Sequence, residues 1–183
     1  MHKSIYYLPG RGGRLDTGLG QHLLQRGYDV TGRATVDEFN RLSFAEQVDT
    51  VAQDISKHFL DASAKIIANS FGAYLFLHAQ IQLAPFPGKV LLLSPIVGES
   101  TNEVTATSFV PPRAAQLFEL ARSDKYPTPP NCEMHVGSLD WQCNPENVQS
   151  LAELIQVQAF IVEGAGHSLP KGYVGPLLDK WLA

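Results

Sequence analysis

Short apolar segments alternate along the chain with longer segments that are apolar on one side only. Six of the short segments read as β-strands: residues 4–8, 28–31, 65–69, 89–94, 132–137 and 157–162. Several of them are continuous apolar runs, which is typical of parallel strands that helices cover on both faces. The pattern therefore predicts a mainly parallel sheet.

The segments between these strands carry helix signals. Ser43 followed by Glu46 forms a capping box, and Asn144 followed by Pro145 is a strong helix start. A third helix is expected over 71–83, and the last helix carries an apolar face that ends at Trp181. Alternating strands and helices predict an α/β fold, a three-layer α/β/α sandwich with about six strands. In such folds ligands bind at the carboxyl ends of the strands.

We expect a single domain over residues 1–183, since this length suits one core. Residues 95–131 interrupt the alternation, because prolines recur there and only one helix, over 112–122, is indicated. This segment follows a strand end, so it is a candidate for a small lid insertion over the site.

Composition and charge narrow the classes of partner. The chain is 44% hydrophobic, has a formal net charge of −4 and shows no Lys/Arg cluster. Neither nucleic acid nor an anionic membrane surface is therefore an expected partner. No apolar run approaches the roughly 20 residues that span a bilayer, and the first apolar run is too short for a signal peptide, so a cytoplasmic protein is expected.

The cysteines and the glycine-rich loop do not indicate a disulfide, a metal or a nucleotide. Cys132 and Cys143 would lie too far apart along an extended segment to pair. No His or Cys pair has metal-ligand spacing, so no metal or cofactor is expected. The sequence GRGGRL, from Gly10, lacks the last glycine of a dinucleotide fingerprint.

Ser70 stands where the third strand meets the next helix. Its neighbours at two positions before and after, Ala68 and Gly72, are small. A sharp strand-to-helix turn needs small residues there and lifts the hydroxyl above the sheet, which is the geometry of a nucleophile elbow. Taken alone, Ser70 is equally well explained as a helix cap.

Two further strand ends carry the groups that a serine nucleophile needs. His167 follows the last strand in a glycine-rich loop, and Asp140 follows the strand before it. A histidine base and an orienting carboxylate activate a serine, and the chain order Ser, Asp, His suits this architecture. The main-chain N–H groups of Phe71 and Arg11 are the candidate donors to an oxyanion.

Together these motifs resemble the α/β-hydrolase superfamily, in its small lidless single-domain serine hydrolases and esterases. The resemblance runs from Pro9-Gly10 through ANSFG to GAGH and the final helix. It implies that Ser70 is the nucleophile, Asp140 the acid and His167 the base of an acyl-enzyme mechanism on a small acyl substrate. Pro9-Gly10 replaces the usual His-Gly of the oxyanion loop, and the loop after Asp140 departs from the family pattern.

Other readings remain open at the level of sequence. A catalytically idle hydrolase fold that serves as a binding module is the alternative to an enzyme. Arg11 and Arg14 flank the predicted site and indicate either an anionic substrate or solvated surface. Structural roles are expected for Ser94 and for the remaining histidines, among them His78 and His135, and Cys143 is expected to pack as a small apolar residue.

Overall fold

The computed structural model describes residues 4–183. Its strands are β1 (Ser4–Leu8), β2 (Asp29–Gly32), β3 (Lys65–Asn69), β4 (Lys89–Leu93), β5 (Ser100–Asn102), β6 (Thr107–Phe109), β7 (Asn131–Gly137) and β8 (Gln158–Val162). Within this part of the chain, six strands form one sheet in the order β2-β1-β3-β4-β7-β8, and each neighbouring pair is parallel. The predicted α/β sheet of six strands is confirmed.

The helices are α1 (Gly18–Gln25), α2 (Asp37–Arg41), α3 (Phe44–His58), α4 (Phe71–Gln80), α5 (Gln116–Arg122), α6 (Pro145–Leu154) and α7 (Lys171–Leu182). The predicted caps of two helices are both present. Ser43 and Glu46 exchange both bonds of the capping box, and the Asn144 side chain accepts from two main-chain N–H groups.

Alternate residues of the central strands enter two separate cores, which is what a three-layer sandwich requires. In β3, Ile66 and Ala68 face a core shared with α3, α4, α5 and α6, whereas Ile67 faces a smaller core with Leu178 and Trp181 of α7. All ten residues of α4 are buried, so this helix is enclosed on every side. The carboxyl ends of β3, β4, β7 and β8 are thereby held at one edge of a rigid sheet.

Residues 95–131 contain more structure than the sequence indicated. Besides α5, the segment holds the antiparallel hairpin β5–β6, which was not predicted. The expected helix over 112–122 begins only at Gln116, because Arg113 adopts a positive φ of 58°. Tyr74 and Tyr126 attach the segment to α4, since their hydroxyls donate to the carbonyls of Pro112 and Leu77 at 2.7 and 3.0 Å.

Two smaller differences concern helix lengths. The helix predicted over 71–83 ends at Gln80, and the short helix α2 was not predicted. Among residues 4–183, no helix combines the length and the apolar character needed to cross a membrane.

Candidate active site

Ser70 occupies a strained turn between β3 and α4. Its φ of 52° and ψ of −118° lie in a region that residues with a side chain rarely adopt. Close packing beneath the turn explains why the neighbours are small: a Cβ on Gly72 would lie 2.1 Å from the Leu8 carbonyl oxygen. The predicted elbow geometry is therefore present, and the hydroxyl faces a cleft.

The three predicted side chains form a continuous array. Ser70 Oγ lies 3.0 Å from His167 Nε2. On the other side of the ring, His167 Nδ1 lies 3.0 Å from Asp140 Oδ2 and 3.2 Å from Oδ1. The Asp140 side chain is fully buried, whereas the imidazole is 34% exposed. A hydroxyl, an imidazole and a buried carboxylate are thus aligned from the cleft inward.

Main-chain donors hold the Asp140 carboxylate in place. The N–H groups of Gln142 and Cys143 both donate to Oδ1 at 3.0 Å. The preceding Leu139 N–H donates to the Ala165 carbonyl at 2.9 Å, which joins this loop to the loop that carries His167. The sequence after Asp140 departs from the pattern of the superfamily that the chain resembles. These main-chain hydrogen bonds nevertheless hold the loop after Asp140 in a defined conformation.

Ser94 has a connection that sequence reasoning missed. Its hydroxyl donates to the His167 carbonyl at 2.8 Å, and its own N–H donates to the His135 carbonyl at 2.7 Å. Strands lie about 4.8 Å apart, so the His167 loop crosses about 14 Å from the end of β8 to reach Ser70 at the end of β3. Ser94, at the end of β4, supports this crossing through its bond to the His167 carbonyl. The one sign of this role in the sequence was that Ser94 directly follows a strand.

Cys143 lies against the same imidazole. Its thiol donates to the Ser94 carbonyl at 2.8 Å, and Sγ is 3.6 Å from His167 Nδ1. Burial raises the pKa of this thiol well above its ordinary value, and the neighbouring Asp140 raises the pKa further. The two cysteines, Cys132 and Cys143, are both free and buried.

One group of three side chains in the described part of the chain has the composition and spacing of a metal-ligand set. It consists of Asp140, Cys143 and His167, whose ligand atoms all lie within 4.8 Å of one another. Sequence spacing did not indicate this cluster. The reason is that separate loops bring the residues together, and His167 stands 24 positions after Cys143.

Two main-chain N–H groups are available beside Ser70. Phe71 N–H belongs to the first turn of α4, so it has no acceptor within the helix. In the loop after β1, Gly12 and Gly13 donate to the Thr35 and Gly10 carbonyls, while Arg11 N–H makes no hydrogen bond to the residues that the structure describes. The Thr35 side chain bonds to both Gly10 and Gly13 and fixes this loop next to Ser70.

Two grooves meet at Ser70 and His167. One has a volume of about 410 Å³, and its apolar lining includes Ile96, Phe109 and Trp141. The other has a volume of about 530 Å³ and carries the polar groups His22, Gln21 and Lys171 beside Leu19 and Leu169. The smaller groove is therefore the more apolar of the two, and Ser70 lines both grooves.

The two arginines that were predicted to flank the site are in different places. The Arg11 guanidinium lies over the Phe71 ring, 4.2 Å from its centroid, and Arg11 lines the smaller groove. Arg14 instead pairs with Asp37 at 3.5 Å and lines a separate groove. Of the two, Arg11 therefore lines the groove at Ser70, whereas Arg14 does not.

Comparison with protein-family models and with curated protein sequences finds no match. Comparison with solved structures finds many. The esterase PE8 has a TM-score of 0.63 and 15% identity, over 98% of this chain and 93% of that protein. A carboxylesterase structure from the thaumarchaeon Nitrososphaera gargenis has a TM-score of 0.60 and 13% identity, over 97% and 89% of the two chains.

A third similar structure is the α/β hydrolase GrgF from Penicillium sp. sh18. Its TM-score is 0.60 with 14% identity, and the match covers 98% of this chain and 87% of that one. At such low sequence identity the similarity establishes the fold alone. The match spans nearly the whole chain. The chain therefore has the α/β-hydrolase fold, as the sequence motifs indicated.

Proposed function

We propose that this protein is a serine hydrolase that cleaves an ester or a related acyl bond of a small substrate through an acyl-enzyme. The observation that carries the proposal is the unbroken array from Ser70 Oγ through His167 to the buried Asp140 carboxylate. The similar structures include proteins named esterase and carboxylesterase, which supports the same reaction class.

The geometry supports a two-step reaction. His167 Nε2 accepts the Ser70 proton while Oγ attacks the substrate carbonyl, and Asp140 stabilises the imidazolium that forms. The oxyanion accepts from the main-chain N–H groups of Phe71 and Arg11. His167 then gives its proton to the leaving group. In the second step His167 accepts a proton from water as the water oxygen attacks the acyl carbonyl, the bond to Ser70 Oγ breaks, and His167 returns the proton to Oγ.

The groove linings favour a substrate with an apolar acyl part. Ile96, Phe109 and Trp141 offer apolar contacts on the side where the proposed oxyanion donors lie. Arg11 is the cation in that groove, so an anionic substituent on the acyl side would meet one positive charge there.

A fluorophosphonate probe tests the proposal, because it modifies a serine only when base and oxyanion donors are aligned. We expect one label, mapped by peptide mass to Ser70. Ser70→Ala and His167→Ala should each remove the label and lower kcat for a p-nitrophenyl ester by roughly 10⁴-fold or more. Ser168→Ala is the matched control, since Ser168 lines the larger groove beside His167.

Retention of the label in Ser70→Ala would refute the assignment of the nucleophile. An unlabelled wild-type protein that is fully folded by circular dichroism would instead favour the alternative, a hydrolase fold that binds ligands without turnover.

A further inference from the structure

We propose that Asp140, Cys143 and His167 form a binding site for a thiophilic divalent metal ion, with Zn²⁺ as the reference ion, and that occupancy of this site switches off the array. The binding step stands on the geometry of the three side chains alone. Its effect on turnover rests on the proposed hydrolase function.

The spacing of the ligand atoms fits a tetrahedral ion. At a tetrahedral angle, Zn–N and Zn–O distances of about 2.1 Å and a Zn–S distance of about 2.3 Å place N and S about 3.6 Å apart, and N and O about 3.4 Å apart. In this protein His167 Nδ1 lies 3.6 Å from Cys143 Sγ and 3.0–3.2 Å from the Asp140 oxygens. A Cys, a His and a carboxylate are the ligand types that zinc takes, and small shifts complete the geometry.

The charge balance also favours the ion. A metal ion replaces the proton of the Cys143 thiol, which is released to solvent. The resulting thiolate and the Asp140 carboxylate together neutralise the two positive charges of the ion. Burial favours this neutral set of ion and ligands.

Binding at Nδ1 changes the tautomer of His167. The single proton of the neutral ring moves from Nδ1, where it faces Asp140, to Nε2, so the ring neither gains nor loses a proton. Nε2 then donates to Ser70 Oγ and has no lone pair left to accept the serine proton. The metal ion therefore removes the base without contacting the nucleophile, and the fold is retained.

An approach for the ion exists along the imidazole. Asp140 and Cys143 are buried, but His167 is one-third exposed and lines both grooves. The exposed part of the ring is therefore the side from which the ion reaches the site, and a water molecule takes the fourth coordination position.

The chain provides a matched control in its other cysteine. Cys132 is also free and buried, but it lies at the start of β7, at the opposite end of the strand from the Asp140 loop. Cys132→Ala and Cys143→Ala therefore each remove one buried thiol. Only the thiol of Cys143 belongs to the proposed site.

The test uses the full chain, purified with EDTA and then freed of chelator. Cd²⁺ is added first, because a cadmium–thiolate bond has its own ultraviolet charge-transfer band and reports binding without any turnover. Zn²⁺ is then titrated against fluorophosphonate labelling and ester hydrolysis, and EDTA is added at the end. Each variant is compared with itself in the presence and absence of metal, and circular dichroism checks its fold.

We expect one Cd²⁺–thiolate site per chain in the wild type and in Cys132→Ala, and none in Cys143→Ala or Cys143→Ser. Zn²⁺ at micromolar concentration should suppress labelling in the first two proteins, and EDTA should restore it. Removing the Cys143 thiol should raise the half-inhibitory Zn²⁺ concentration at least 10-fold.

Equal Zn²⁺ sensitivity in Cys143→Ala, or a Cd²⁺–thiolate band that survives there and disappears in Cys132→Ala, would overturn the proposal. An absent band in folded wild type would overturn it as well. A band that depends on Cys143 in a protein that fluorophosphonate does not label would uphold the metal site and refute the hydrolase function, so the two failures are distinguishable.

Discussion

The floor of the site and the segment above it are built in opposite ways. The floor consists of the four strand-end residues Ser70, Ser94, Asp140 and His167, which short hydrogen bonds join to one another and to the sheet. The cap segment, residues 95–131, contains a two-stranded hairpin whose Val104 is 95% exposed. The difference teaches that this fold fixes the four side chains of the floor, whereas the cap segment reaches the cleft with a few side chains.

The largest effect is expected from crowding the floor. Gly72→Ala places a Cβ 2.1 Å from the Leu8 carbonyl oxygen, so the elbow or β1 must move. We expect the free energy of unfolding to fall by about 3 kcal/mol, as measured by urea denaturation. Gly175→Ala is the control: it lies in α7 with open space around it, and alanine should stabilise that helix by up to about 1 kcal/mol. Equal stability of the two variants would show that the elbow is not closely packed.

Acid should lower the free energy of unfolding through a buried histidine that lies where α4 packs against the cap segment. His78 of α4 is buried against Tyr74 and Phe44, and this burial, with nearby Arg113 of the cap segment, lowers its pKa to about 4. The unfolded chain, with a His pKa of about 6.5, binds this proton more readily, so stability is present above pH 6.5 and falls as the pH approaches 4. We expect a loss of about 2–3 kcal/mol over that range.

His78→Gln should flatten this part of the stability–pH curve, measured by urea denaturation at several pH values. His58→Gln is the matched control, because His58 is exposed at the end of α3. A slope that the two variants share with the wild type would assign the acid sensitivity to other groups, of which buried His135, whose pKa burial also lowers, is the first to consider.

The smallest effect sharpens the role of the cap segment. Phe109 lines the apolar groove, so Phe109→Ala should lower kcat/KM for a hexanoyl ester about 10-fold relative to an acetyl ester, because the longer chain loses apolar contact. Fluorophosphonate labelling of Ser70 should be unchanged. Val104→Ala, at the exposed end of the same hairpin, should change kcat/KM for either ester by no more than about twofold. An equal loss of kcat/KM for both esters would show that Phe109 supports the four floor residues and does not select the length of the acyl chain.

The floor was largely accessible to sequence reasoning because local rules act there. Continuous apolar runs identify buried strands, and β1 and β3 have the predicted bounds. Small residues around Ser70 indicate a tight turn, and the parallel topology brings all strand ends to one edge. The placement of Asp140 and His167 therefore followed from their positions directly after strands.

The rest depends on contacts between segments that are distant in sequence. The hairpin strands are three residues long and largely polar, so they show no alternation to detect. The approach of Cys143 to His167 and the bond from Ser94 to the His167 carbonyl exist only once separate loops have met. Arg14 is close in sequence to the oxyanion loop, yet its partner Asp37 holds it outside the cleft.

The sheet order has a consequence for how the protein loses activity. Among residues 4–183, β8 is an edge strand that pairs only with β7, and Phe160 and Ile161 on it are about 40% exposed. It nevertheless supplies the loop that brings His167 across to the centre of the sheet. For the proposed hydrolase, we expect local opening of this edge to withdraw the imidazole while the central strands stay folded. Hydrolysis of an ester would then be lost before global unfolding.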